Sequence, residues 1–176
     1  MPRIPYLTEE NITVDHDFME FIKARRPDGR LLNLDRILLY SEPLARGWQQ
    51  FFSKLRQELQ LSSKFRELAI LRVAIVNRAP YEYEQHTAEA LNAGISQAQI
   101  DALSNWRVSQ LFDESEQAVL AYTDAMTQSV QVPAALFERL STWFDEQQLV
   151  ELTAIIAGYN MVSRFLEALQ ISTVGE

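Results

Sequence analysis

The 176-residue chain contains no cysteine. That excludes a disulfide, a thiolate nucleophile and a thiol-based redox cycle within the chain. Glycine and proline are also scarce, five and six residues respectively. So few turn formers favour long helices over many short strands. Positive charge is under-represented, leaving a net charge of −8. A nucleic-acid backbone and an anionic membrane surface both prefer a basic face, so neither is expected as a partner. No run of eighteen uninterrupted apolar residues occurs, which argues against a membrane span. The opening Met-Pro-Arg-Ile-Pro-Tyr lacks the apolar core of a signal peptide. A cytoplasmic protein is the default expectation. There are only two histidines, His16 and His86, and no glycine-rich phosphate loop or Gly-x-Ser-x-Gly. One histidine among glutamates is a poor match to zinc-ligand spacing, so no metal and no cofactor are expected.

What the chain does have is helical periodicity. The reading is all-α, with residues 1–30 an N-terminal arm and short helix and residues 31–176 a single helical domain. Pro2 and Pro5 oppose a helix in the arm, where Ile4, Tyr6 and Leu7 can be buried. The spacing predicts a short helix over 15–26 with Phe18, Phe21 and Ile22 inward, stopped by Pro27-Asp28-Gly29. Asn33 is placed as the cap of the next helix, with Leu34, Ile37, Leu38 and Leu39 as its apolar stripe. Beyond Pro43, the aromatic and leucine positions Trp48, Phe51, Phe52, Leu55 and Leu59 read as core. Pro133 opens a later helix with Leu136, Phe137, Leu140 and Phe144 inward. Capping boxes are expected at Ser96/Gln99, Asp113/Glu116 and Asp145/Gln148. The last helix, 145–169, carries Ala154, Ala157 and Gly158, small enough for close helix approach.

The chain is organised around Glu67 to His86. Leu68 to Val76 is apolar around most of a helix, which places that helix at the centre of the fold. Glu67 and Arg72 interrupt it, and a charge among apolar residues is costly unless paired or functional. Glu67 reads as a first-turn anion favoured by the helix dipole. The helix stops at Asn77-Arg78-Ala79, and Pro80 suits the first position of the next one. Gly94 supplies that helix's left-handed stop.

His86 is the acid–base candidate, because imidazole titrates near neutral pH. Glu82 and Glu89 lie four residues before it and three after, on the same helix face, where a carboxylate can pair with an imidazole. Local charge pairing without function is the competing reading. Arg72 is expected to pair with a carboxylate from another helix or to reach a cavity. Tyr81 and Tyr83 are placed at a pocket rim, and His16 at the surface. Glu151, 84 residues after Glu67 and likewise followed by leucine, is a second candidate for a buried carboxylate. Helix arithmetic does not bring Glu67 to His86: in a tight antiparallel pair hinged at Ala79-Pro80 they are offset by roughly 9 Å.

The same stretch resembles the signature region of the carboxymuconolactone decarboxylase family, which includes alkylhydroperoxidase D. The resemblance lies in Glu67, the apolar helix after it, Asn77-Arg78, Tyr81-Glu82-Tyr83-Glu84-Gln85-His86 and Leu91-Asn-Ala-Gly-Ile95. It extends to the tail Ala157-Gly-Tyr-Asn-Met-Val-Ser-Arg-Phe-Leu166. The family is all-helical, an alkylhydroperoxidase D-like bundle, and usually forms trimers or hexamers. Its peroxidase members carry Cys-x-x-Cys, and by register with Glu67 and His86 those positions are Ala79 and Glu82 here. A further family histidine falls on Tyr81. Peroxide attack needs a thiolate, so the resemblance implies the decarboxylase branch rather than peroxidase activity.

Two functions follow as expectations. The first is a cofactor-free lyase or isomerase on a small carboxylated lactone or related acid, working as a homo-oligomer. His86 donates the proton, Glu67 orients it or holds a bound water, Arg72 or Arg78 holds a substrate carboxylate, and Tyr81, Glu82 and Tyr83 line the pocket. The second is a non-catalytic helical oligomer that binds a small ligand or a partner, with Glu67, Arg72 and His86 as a structural ion network.

Overall fold

Helices account for all the regular structure among the described residues, 2–26 and 28–175, of this computed structural model, and no strand occurs among them. In chain order they are α1 (His16–Lys23), α2 (Asn33–Leu38), α3 (Glu42–Gln57), α4 (Ser63–Asn77), α5 (Pro80–Asn92), α6 (Gln97–Ala102), α7 (Glu114–Ser129), α8 (Ala134–Ser141) and α9 (Glu146–Leu169). A 3₁₀ segment, Leu103–Val108, follows α6 directly. Two compact units are present: Met1–Gln57 with Leu166–Glu176, and Glu58–Phe165.

The first unit is tied together by backbone and side-chain polar contacts. Asp15 caps α1 by accepting from the Phe18 amide at 2.9 Å. Asp35 is buried and collects Arg25, Arg26 and Gln49 at 2.7, 3.3 and 3.0 Å. It also accepts the Leu32 amide, so Asp35 does the capping expected of Asn33, which instead lies within α2. The Asn33 amide nitrogen donates to the Ser172 carbonyl at 2.8 Å. The N-terminal arm docks here, with Arg3 donating to the Leu169 and Ala168 carbonyls. Trp48, Phe52 and Leu55 are buried as expected, but Phe21 and Phe51 are exposed. Each lies next to a buried aromatic or aliphatic residue, and the buried stripe of a short surface helix is narrow. Pro27, expected in a turn, lies outside the described residues.

In the second unit α4 is the central element. Leu68, Ala69, Ile70, Leu71, Val73 and Ala74 are 1% exposed or less. The helix packs most extensively on α5 and α7. Ser62 caps it through the Phe65 amide. Glu67 therefore sits in the second turn, beyond the capped N-terminus, and the helix dipole is not what holds it. The stop falls on Arg78, whose φ of 55° and ψ of 47° are left-handed. Ala79, at φ −101° and ψ 85°, is non-helical and Pro80 begins α5. The capping boxes at Ser96 and Asp113 form, and Asp145 and Gln148 exchange the same pair of bonds. Phe137 is exposed rather than inward. Helix α9 is long and apolar enough to cross a membrane by length and composition, but Leu152, Ile155, Ile156 and Tyr159 are buried within the fold.

Candidate active site

Glu67 and His86 meet directly. Nδ1 of His86 lies 2.7 Å from Oε2 of Glu67. Their side chains bridge whatever offset the helix arithmetic leaves, and the chain passes from α4 to α5 through left-handed Arg78 and non-helical Ala79. Arg66 donates to the other carboxylate oxygen, Oε1, at 3.1 Å. Burial alone would push the Glu67 carboxyl up. The hydrogen bond and charge of His86, with Arg66 behind them, outweigh burial and hold it below its ordinary value of 4.5. An ionised carboxylate only accepts hydrogen bonds. The proton in this contact is therefore on Nδ1, and Nε2 is the nitrogen left for exchange with a ligand.

Tyr159 of α9 completes the packing around the ring, edge to face at 4.9 Å between centroids. The His86 side chain is 13% exposed and that of Glu67 3%, so the pair is shielded without being sealed. Glu82, one turn before His86, is buried, and the Ser163 hydroxyl lies 3.2 and 3.1 Å from its two carboxylate oxygens. Ser163 belongs to α9, so this contact ties α5 to α9.

Arg72 is committed elsewhere. Its Nε donates to Asp124 at 2.6 Å and its Nη1 to the Leu103 carbonyl at 2.9 Å. Trp106 and Arg107 donate to the second oxygen of Asp124 at 3.1 and 3.0 Å. This is the carboxylate from another helix that the sequence called for, and it joins α4, α7 and the 3₁₀ segment. Glu151 is likewise structural: it accepts the Leu61 amide at 2.7 Å and the Gln147 amide nitrogen at 2.9 Å. The sequence gives each partner weakly. Asp124 is visible only as an acid in the apolar face of α7, and Tyr159 only as a residue of the family-like tail.

A hollow of about 390 Å³ opens where α4 ends, α5 begins and α6 passes. Its apolar wall is Ala74, Ile75, Ala79, Pro80 and Ile100, and its polar wall is Arg78, Tyr83, Glu84, Asp101 and Ser104. Arg78 is exposed and makes no ion pair among the described residues. Tyr83 is half-buried, and burial followed by the charge of Asp101 raises its phenol above the ordinary value. Tyr81 is buried and lies outside this wall. Of the candidate residues, Glu67 and His86 thus form one pair, Arg78 and Tyr83 share the hollow, and Arg72, Tyr81 and Glu82 are in the packed interior. His86 is not on the wall, but Tyr83 precedes it by three residues, which makes the two neighbours on α5. No group of side chains suited to a metal ion occurs among the described residues.

A sequence model of the carboxymuconolactone decarboxylase family matches residues 42–125. The uncharacterized protein YnjA of Escherichia coli (strain K12) is 31% identical over 132 residues, covering 73% of this chain and 69% of YnjA. An uncharacterized peroxidase-related protein from Ralstonia eutropha JMP134, an alkylhydroperoxidase AhpD core, superposes with a TM-score of 0.85 at 17% identity, covering 99% of this chain and 93% of that one. A protein of unknown function from Agrobacterium tumefaciens, described as a candidate antioxidant defence protein AhpD, gives a TM-score of 0.73 at 25% identity over 78% of this chain and 94% of that one. The fold is all-α and alkylhydroperoxidase D-like.

Proposed function

The chain belongs to the carboxymuconolactone decarboxylase family, and from that premise we propose that it is a cofactor-free lyase or isomerase acting on a small carboxylic acid, such as a carboxylated lactone, with His86 as general acid and base. The observation that carries this reading is the 2.7 Å contact between His86 Nδ1 and Glu67 Oε2, which fixes one ring nitrogen and leaves Nε2 to move protons. In a decarboxylation the bond to the carboxyl carbon breaks and carbon dioxide leaves. The electron pair spreads onto a neighbouring carbonyl as an enolate. Nε2–H of His86 delivers a proton to carbon, and the ring recovers one from water. Glu67 orients the ring and balances the imidazolium charge. Arg78 takes an anionic end of the substrate, and Tyr83 donates to a substrate oxygen. Arg72, committed to Asp124, supports the helix rather than the substrate. The hollow includes Ala79, where thiol-dependent relatives carry the first cysteine by register, which favours it as the substrate site.

A second reading, a ligand-binding member without turnover, draws on one observation: His86 is absent from the wall of the hollow. The same experiment separates the two. Small lactone acids are screened for thermal stabilisation and for product formation with the native protein and with His86→Gln. The lyase reading expects His86→Gln to keep the stabilisation and to lose turnover by about 100- to 10,000-fold. Stabilisation with no turnover in the native protein selects the second reading. Under either, we propose a homo-oligomer, and a monomeric mass by light scattering at working concentration removes that part.

A further inference from the structure

Helix α9 is apolar on two sides, and the fold covers only one. Leu152, Ile155, Ile156 and Tyr159 are buried. On the opposite side Val150 is 69% exposed and Met161 45%, with Ala157 open to solvent between them. Their spacing of seven and four residues puts all three on one helix face. Ala154 lies half-buried at its edge, so the middle of the face carries only methyl side chains and can be approached closely. Each end of the face carries a charge. Glu146 is in the first turn of α9 and Arg164 is eighteen residues further on, both exposed. They are ~27 Å apart along the axis, too far to pair within one helix. Arg164 engages Nη1 on the carbonyl and side-chain oxygen of Asn160, at 2.9 and 2.7 Å. Neither Glu146 nor Arg164 has an ion-pair partner among the described residues.

This pattern complements itself when reversed. Laid antiparallel on a second copy, α9 sets Val150 against the partner's Met161, Ala154 against the partner's Ala157 and Glu146 beside the partner's Arg164. The three pairs are centred on the same point of the helix to within half a residue, so a single two-fold axis satisfies them all. A parallel arrangement would set Glu146 against Glu146 and Arg164 against Arg164. A lipid surface fits less well, because helices that lie on membranes are flanked by basic residues and this chain has a net charge of −8. We propose that this face of α9 is a two-fold interface on which a second copy of the chain docks antiparallel, with Glu146–Arg164 pairs at both ends. The inference rests on the homo-oligomer reading above and gives it a face and a symmetry. It is independent of the lyase reading.

The test is sedimentation equilibrium of the full chain at micromolar concentration. The native protein is expected to be a dimer or a larger assembly with an even number of chains. Arg164→Glu and Glu146→Arg each place like charges together, and each should weaken the association across this face at least about tenfold. The two combined restore the pairs with exchanged signs and should bring the dissociation constant back to within about threefold of the native one. Ala157→Arg, next to the axis, should dissociate the pair as well. All these positions are exposed, so helical content by circular dichroism is expected to stay native in every variant. A trimer, or an oligomer whose mass no variant changes, overturns the inference and leaves the homo-oligomer reading standing. So does a loss that the double reversal fails to repair. A native monomer overturns both, and its co-sedimentation with phosphatidylcholine vesicles would name a membrane as the occupant instead.

Discussion

At the scale of single residues, the role proposed for His86 depends on what Glu67 cannot do. An ionised carboxylate has no proton to give, so the ring must donate through Nδ1. Glu67→Gln keeps the shape and removes the charge, and is expected to slow turnover while leaving the fold intact. It also tests the pH dependence of stability. The Glu67 carboxyl titrates below its ordinary value of 4.5 in the folded chain, so its contribution is complete above that value and disappears as pH falls through the folded one. Thermal melts taken from neutral pH down to about pH 3 should show a steeper acid loss in the native protein than in Glu67→Gln. Asp124 gives a contrasting prediction. Removing it by Asp124→Ala leaves Arg72, 8% exposed, without its carboxylate. The expected cost is about 3–5 kcal/mol in urea unfolding, with no change in ligand affinity if the hollow is intact.

At the scale of elements, scarcity of glycine has a visible result. Helices α4, α7 and α9 are followed by Arg78, Val130 and Gln170, all non-glycine residues at positive φ of 55°, 64° and 53°. A β-branched residue is the least suited to that region. Val130→Gly should raise stability by about 1 kcal/mol, read as a higher denaturation midpoint. Arg78→Gly should likewise raise stability at the end of α4 while weakening any anionic ligand. The helices themselves were largely legible in the sequence, because apolar periodicity, Pro80, Gly94 and the capping boxes are local signals. What was not legible is tertiary. The cap supplied by Asp35, the outward turns of Phe21, Phe51 and Phe137, and the reach of Glu67 to His86 all depend on how helices are set against one another. For the site, family register marked Glu67 and His86, but nothing local linked Arg72 to Asp124 or placed Tyr159 against the imidazole.

At the scale of the whole molecule, the central helix and the missing thiols set what the protein can be. Amide exchange should be slowest over Leu68–Ala74, whose side chains are nearly all inaccessible. Peroxide consumption by the purified protein should not exceed the buffer background, since peroxide attack of the thiol type needs a thiolate and the chain has none. Ala79 is on the wall of the hollow and Glu82 accepts from Ser163, so neither of the two positions that the family resemblance matched to Cys-x-x-Cys offers a thiol.

The hollow and the absence of sulfur nucleophiles together have a practical consequence. A single cysteine introduced at Ser104, on the polar wall, would be the sole attachment point for a thiol-reactive dye. A polarity-sensitive fluorophore placed there would report occupancy of that wall directly, molecule by molecule, with no competing label to subtract.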